Sequence, residues 1–126
     1  MNNTAVVIIT CDAYKKYWNI FYSLFAKHWN NCPYPIYHIS ENETFSHDTI
    51  PIQCIQTKLP HKPKYWSEGV LIGLQQIKEQ NIIFFLEDFF LYQKVHNELL
   101  YSHIEFLNIH NSTSCIRLLP IPNGTN

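Results

Sequence analysis

The sequence is short of charge and nearly without glycine. Only 15% of its 126 residues are Asp, Glu, Lys or Arg, against about 25% in an ordinary soluble protein. Nine Lys plus Arg against ten Asp plus Glu leave a formal net charge of −1. A nucleic-acid binder needs a basic excess for its phosphate contacts, so no nucleic-acid partner is expected. The three glycines, Gly69, Gly73 and Gly124, form neither a G-x-G-x-x-G turn nor a Walker A loop, which sets aside Rossmann dehydrogenases and P-loop NTPases. There is no G-x-S-x-G nucleophile elbow either. No apolar run approaches the roughly 20 residues of a membrane span. The longest, residues 5–9 and 82–86, have strand length. No positive charge precedes the first of them, so the N-terminus makes a poor secretory signal. The four cysteines are widely spaced, with no C-x-x-C pair. They read as reduced, mostly buried thiols of a cytoplasmic protein rather than as a disulfide framework or zinc site. Seven histidines are scattered without metal-ligand spacing.

What is present is apolar and aromatic: 46% hydrophobic residues and 15% Phe, Trp and Tyr. The length fits one domain over residues 1–126, enough to bury a real core. Residues 5–9 are continuously apolar and β-branched, the pattern of a strand buried on both faces. From 13 to 29, Tyr14, Tyr17, Trp18, Phe21, Leu24, Phe25 and His28 recur at helical spacing, and His28 reads as a core residue. Short strands are expected at 36–39 and 52–56, and a second helix from Ser67 to about Gln80. Residues 82–86 read as a second fully buried strand, 97–109 as a third helix and 114–119 as a last strand. The order β-α-β-β-α-β-α-β predicts an α/β fold, a Rossmann-like, mostly parallel sheet with flanking helices.

In such sheets ligands bind beyond the carboxyl ends of the strands, where the strand order reverses. The two most apolar strands are expected at the centre of the sheet, and both end in acids. Asp12 follows the first, Glu87 and Asp88 the second. If the strands are neighbours, the acids converge on one crevice. Asp12 has a second reading as a helix N-cap, and Glu87-Asp88 a second reading as solvated strand-end residues. Yet the pair lies inside the most apolar stretch of the chain, where unpaired charge is costly. A bound magnesium or manganese ion would offset that cost. Trp66-Ser67 opens the second helix, whose N-terminus favours an anion such as phosphate, with Lys62 and Lys64 just upstream. A solvated loop and an ordinary cap at Ser67 remain the plain alternative. Trp66 either stacks on a base or plugs the core.

Residues 6–12 (Val-Val-Ile-Ile-Thr-Cys-Asp), the aromatic helix, and Trp29 with the Cys32-Pro33-Tyr34-Pro35-Ile36-Tyr37 segment resemble the start of bacterial GT-A-type glycosyltransferase-like proteins. Trp66-Ser67-Glu68, leading a helix into residues 82–90, looks like the second half of the same family's nucleotide-sugar site. The resemblance covers residues 5–120. It implies that Thr10 and Asp12 face the nucleoside, that Trp66 and Ser67 flank it, and that Asp88, with Glu87 beside it, meets a divalent metal on the diphosphate. Three departures stand out. The family's Asp-x-Asp is absent, since Phe89 stands two places after Glu87. Gly69 stands where relatives carry a basic residue. The chain also ends near Gly124, where the acceptor-binding half of a full enzyme would begin. The reading implied is a nucleotide-sugar-dependent transferase, or its donor-binding half truncated at the C-terminus, acting in surface polysaccharide synthesis on an unidentified saccharide acceptor. The catalytic base is unassigned, and exposed aromatics predict self-association. The alternative is a non-catalytic α/β module that binds nucleotide or a protein partner. A response-regulator-like domain fits less well, because no lysine ends a later strand.

Overall fold

The computed structural model describes residues 3–59 and 65–118. Lys62, Lys64, Leu119 and the tail at 120–126 lie outside them. Four strands, β1 (Thr4–Ile9), β2 (Ile36–Ser40), β3 (Ile52–Gln56) and β4 (Asn81–Leu86), form one sheet in the order β3-β2-β1-β4. Every pairing is parallel. Two helices accompany them, α1 (Trp18–His28) and α2 (Trp66–Leu74). This is a Rossmann-like α/β arrangement, and the expected parallel sheet is present throughout the four strands.

The chain divides into two compact units, Met1–Lys94 and Val95–Asn126. In the first unit, strand alternation sends successive residues to opposite faces, and each face takes one helix. On one face Trp18 meets the ring of His38 edge-on at 4.4 Å, and Phe21 and Phe25 of α1 pack against Phe85 at 5.7 and 6.2 Å. On the other, Val70 and Leu74 of α2 pack over Ala5, Val7, Ile9, Tyr37 and Ile39. There Gly73 does specific work. A Cβ at this position would stand 2.6 Å from Ile39 Cγ2, so glycine sets how closely the helix approaches the sheet. The second unit contains α3 (Asn97–Ile109), with Leu100 and Ile104 buried one helical turn apart. Residues 114–118 form no strand, so the last expected strand is absent across its described part.

Five further expectations are corrected. The fully buried pair at the sheet centre is β1 and β2, each buried at every position, not β1 and β4. β4 stands at the edge of the described sheet, where Ile82 and Phe84 remain 38% and 41% exposed. The first helix does not run unbroken from 13. Residues Asp12–Tyr17 wind as a 3-10 segment with a kink at Tyr14 before α1 begins. α2 stops at Leu74, six residues before Gln80, because Gln76 and Ile77 donate to carbonyls only three residues back, tightening the chain into turns. Both Gln80 and Asn81 then donate to the carbonyl of Asn3, which sets β4 beside the start of β1. The core histidine is His38, fully buried in β2, whereas His28 is half-buried. The four cysteines are free, but none is fully buried, and Cys115 is exposed.

Candidate functional site

The connections out of β1 run to β2 and β3 on one side, and the chain then returns to β4 on the other. The order therefore reverses between β1 and β4, the position where a parallel sheet opens a crevice at its carboxyl edge. Ile9 pairs with Leu86 at the end of the ladder, so Thr10-Cys11 and Glu87-Asp88 leave the sheet side by side. A cleft of about 570 Å³ opens there. The two strands are neighbours, but of the acids expected to converge there Glu87 and Asp88 line the cleft and Asp12 does not.

The cleft is lined by Thr10, Cys11, Leu86, Glu87 and Asp88 from the strand ends, with Tyr14, Tyr17 and Trp66. Glu87 and Asp88 do not alternate as adjacent residues of an extended strand would. Phe89 N–H donates to the Leu86 carbonyl at 3.1 Å, closing a turn across the two acids, and both line the same cleft. Their environments differ. Glu87 is half-buried and Asp88 exposed. Burial pushes the Glu87 carboxyl up, and the neighbouring Asp88 charge adds to this, while hydrogen bonds from its own backbone N–H and from Thr10 oppose it. The Cys11 thiol is likewise raised, chiefly by burial, so it is a poor nucleophile. Thr10 is held by α1, whose Trp18 indole N–H donates to its hydroxyl oxygen at 2.9 Å. That bond fixes one wall of the cleft to the core.

Of the residues the sequence singled out, Thr10, Trp66, Glu87 and Asp88 share the cleft, and Asp12 and Ser67 do not line it. Asp12 serves neither reading given to it. It is no N-cap, because Cys11 holds that position and no side chain caps the segment. Its carboxylate turns instead to the loop after β2, accepting from the backbone N–H groups of Glu41, Asn42 and Glu43 at 3.1 to 3.3 Å. In return, Asp12 N–H donates to the Glu41 carboxylate at 3.0 Å. Ser67 is exposed in the first turn of α2, whose N-cap is Tyr65, with no side-chain cap. Phe89 and Phe90, which follow the two acids, are more than a third exposed. Sequence reasoning missed Cys11, Tyr14 and Tyr17 as cleft residues. It had placed both tyrosines on the core stripe, although their position one turn beyond the first strand puts them where ligands bind.

Among the described residues no group of three or more His, Cys, Asp or Glu side chains could hold a metal ion. None of the described helices is long and apolar enough to cross a membrane. Compared with known proteins, the chain matches no family model, no curated protein and no solved structure.

Proposed function

We propose that this chain binds a nucleoside-diphosphate sugar in the β1–β4 cleft, as the donor-binding part of a GT-A-type glycosyltransferase. The observation that carries the reading is the meeting of two acids and an aromatic residue at the switch point of a parallel sheet: Glu87 and Asp88 on one side, Trp66 on the other. Trp66, 59% exposed, offers its face to a base, and Thr10 lies at the end of the central strand.

Two carboxylates do not make a resident metal centre, but they suit magnesium or manganese, which binds through one or two carboxylates and takes substrate phosphates for further ligands. Asp88, exposed at the turn, would hold such an ion, with Glu87 beside it. When bound, the metal would stabilise the charge of the departing diphosphate. The residues of the chain then have separate tasks. Trp66 stacks, Asp88 positions the metal-bound diphosphate, and the Trp18–Thr10 bond keeps the wall of the cleft in place.

A second reading, a non-catalytic α/β module, draws support from Asp12, whose carboxylate is committed to the 41–43 loop instead of the cleft. Calorimetry separates the nucleotide site from a module that binds only a protein. Uridine, guanosine and cytidine diphosphates are titrated with manganese present. At least one is expected to release heat, and none doing so sinks the donor-site reading.

A further inference from the structure

The second unit carries an apolar and aromatic seam that its own core does not use. Leu100 and Ile104 bury one side of α3. Beside them Leu99, His103, Phe106 and His110 follow at steps of four, three and four residues, the spacing with which one helix presents a seam to a second helix. Leu99 and Phe106 are 59% and 44% exposed, and His110 is exposed as well. The Phe106 and His110 rings stack, with centroids 4.0 Å apart and planes 28° from parallel. One end of the seam is therefore already built as a flat surface. Ser102 and Ile109 flank the seam on one side, Leu100 and Leu107 on the other, while the helical repeat carries Glu98 and Glu105 away from it.

The seam is its own complement. Turned end for end, its spacing reads the same, and each histidine then falls opposite an apolar residue. Two antiparallel copies set His103 against Phe106 of the second copy and Leu99 against His110, each contact occurring twice about a twofold axis. A parallel pair would instead set histidine on histidine and align the two helix dipoles. We propose that α3 pairs antiparallel with α3 of a second copy of this chain along Leu99, His103, Phe106 and His110. The Phe106–His110 stack within one chain is the kind of ring contact that the pair repeats across the axis. The 13 residues of α3 rise about 20 Å, room for two heptads. Such a seam is small beside the roughly 1,200–2,000 Å² of a stable complex, so the dimer is reversible, with a Kd of about 10–100 μM. The inference goes beyond the nucleotide-sugar reading and does not rest on it, because none of the four residues lines the β1–β4 cleft.

Sedimentation equilibrium of the full chain between about 5 and 500 μM tests the pairing, and a monomer–dimer equilibrium is expected. Leu99→Glu and Phe106→Glu, both at exposed positions, should each raise Kd at least about tenfold, since each puts a charge into the apolar seam. Leu71→Glu in α2, where the leucine is as exposed as Leu99, should leave Kd within about twofold. Mixtures of variants read the orientation. His103→Lys with Phe106→Glu should associate at least about fivefold more tightly than His103→Lys with Leu99→Glu, because only the first pair of charges meets face to face in the antiparallel register. Circular dichroism checks that each variant keeps its fold. A chain that stays monomeric at about 500 μM overturns the proposal. So does an undiminished dimer in Leu99→Glu or Phe106→Glu, or an equal loss in Leu71→Glu. Equal association of the two mixtures overturns the antiparallel register.

Discussion

The carboxylate of Asp12 lies 3.1 Å from the backbone nitrogen of Asn42, thirty residues away in sequence, and accepts its N–H. The bond belongs to a clasp in which Asp12 takes three consecutive amides of the loop after β2. The same loop is tied to the far side of the sheet. Thr57 and Lys58 donate to the carbonyls of Ser40 and Glu41 at 2.9 and 3.1 Å, and the Gln56 side-chain amide donates to the Asn42 carbonyl. The carboxyl ends of β1, β2 and β3 are thus fastened to one another beside the cleft. Lys15 and Glu43 add an ion pair at 3.6 Å, which at this exposure contributes little.

The clasp predicts a stability cost at a residue that sequence reasoning assigned to ligand. Hydrogen bonds to a charged acceptor contribute roughly 1.5–3 kcal/mol when buried, and less at a half-exposed site. Asp12→Ala should therefore lower unfolding free energy by about 1–3 kcal/mol, and Asp12→Asn, which keeps one acceptor oxygen, by about half as much. Amide hydrogen exchange at 41–43 should quicken in both variants. An unchanged urea midpoint for Asp12→Ala would show that the clasp adds nothing to stability.

The two described glycines should respond to alanine with opposite signs. Both lie in α2, where replacing glycine gains roughly 1 kcal/mol of helix propensity. A Cβ at Gly69 meets nothing within 4 Å, so Gly69→Ala should raise stability by about 0.5–1 kcal/mol. A Cβ at Gly73 collides with Ile39, itself 1% exposed and without room to withdraw. Overpacking of this kind costs roughly 1–3 kcal/mol, enough to outweigh the propensity gain. Thermal unfolding of the two variants decides the matter, and a stabilised Gly73→Ala would mean that α2 can lift from the sheet at little cost.

The strands were legible where composition alone decides. Residues 52–56 and 97–109 read from sequence as a strand and a helix match β3 and α3 in extent, and β1 differs by one residue. β2 was undervalued because His38 and Ser40 are polar, yet both are buried. Their polarity is absorbed by Tyr22, whose hydroxyl lies 2.7 Å from His38 Nδ1, and by the Glu43 carbonyl, which accepts from Ser40 Oγ at 2.6 Å. No periodicity announces a partner sixteen residues away, as Tyr22 is from His38, or a loop carbonyl such as that of Glu43. β4 was overvalued for the opposite reason. Its apolar run reads as doubly buried, but α2 lies over β1 and β2 and leaves Ile82 and Phe84 bare. The acids of the cleft were legible from their place at strand ends. The use of Asp12 was not, because a carboxylate after a strand looks the same whether it faces a ligand, a helix terminus or a neighbouring loop.

His38 makes the fold sensitive to acid. The ring is fully buried, and its Nε2 has no hydrogen-bond partner among the described residues. Burial holds its pKa down at about 4 from an ordinary 6.5, against a smaller opposing pull from Asp12. The unfolded chain therefore takes up this proton first as pH falls. The contribution is intact above pH 6.5 and is lost progressively as pH drops toward about 4. Its size is about 3 kcal/mol. Urea unfolding at pH 7.0 and 4.5 should show a smaller acid loss in His38→Phe than in the parent chain, since the carboxylates common to both cancel. Equal losses would remove His38 as a source of the pH dependence.

The two cleft acids should differ in how they serve a metal-bound diphosphate. Asp88 is exposed at the turn and free to reach an ion, whereas Glu87 is half-buried and burial raises its pKa. Asp88→Asn should therefore weaken manganese-dependent diphosphate binding at least about tenfold, a loss of roughly 1.4 kcal/mol. Glu87→Gln should weaken it less near neutral pH. The pH dependence carries the sharper distinction. If Glu87 joins the metal only when ionised, affinity of the parent chain rises with pH through its elevated pKa. Glu87→Gln should flatten that rise, and Asp88→Asn should leave it visible at lower affinity. Calorimetry between pH 4.5 and 7.5 measures both quantities. Equal, negligible effects of the two substitutions would mean that these side chains are surface acids and that no diphosphate-bound metal sits between β1 and β4.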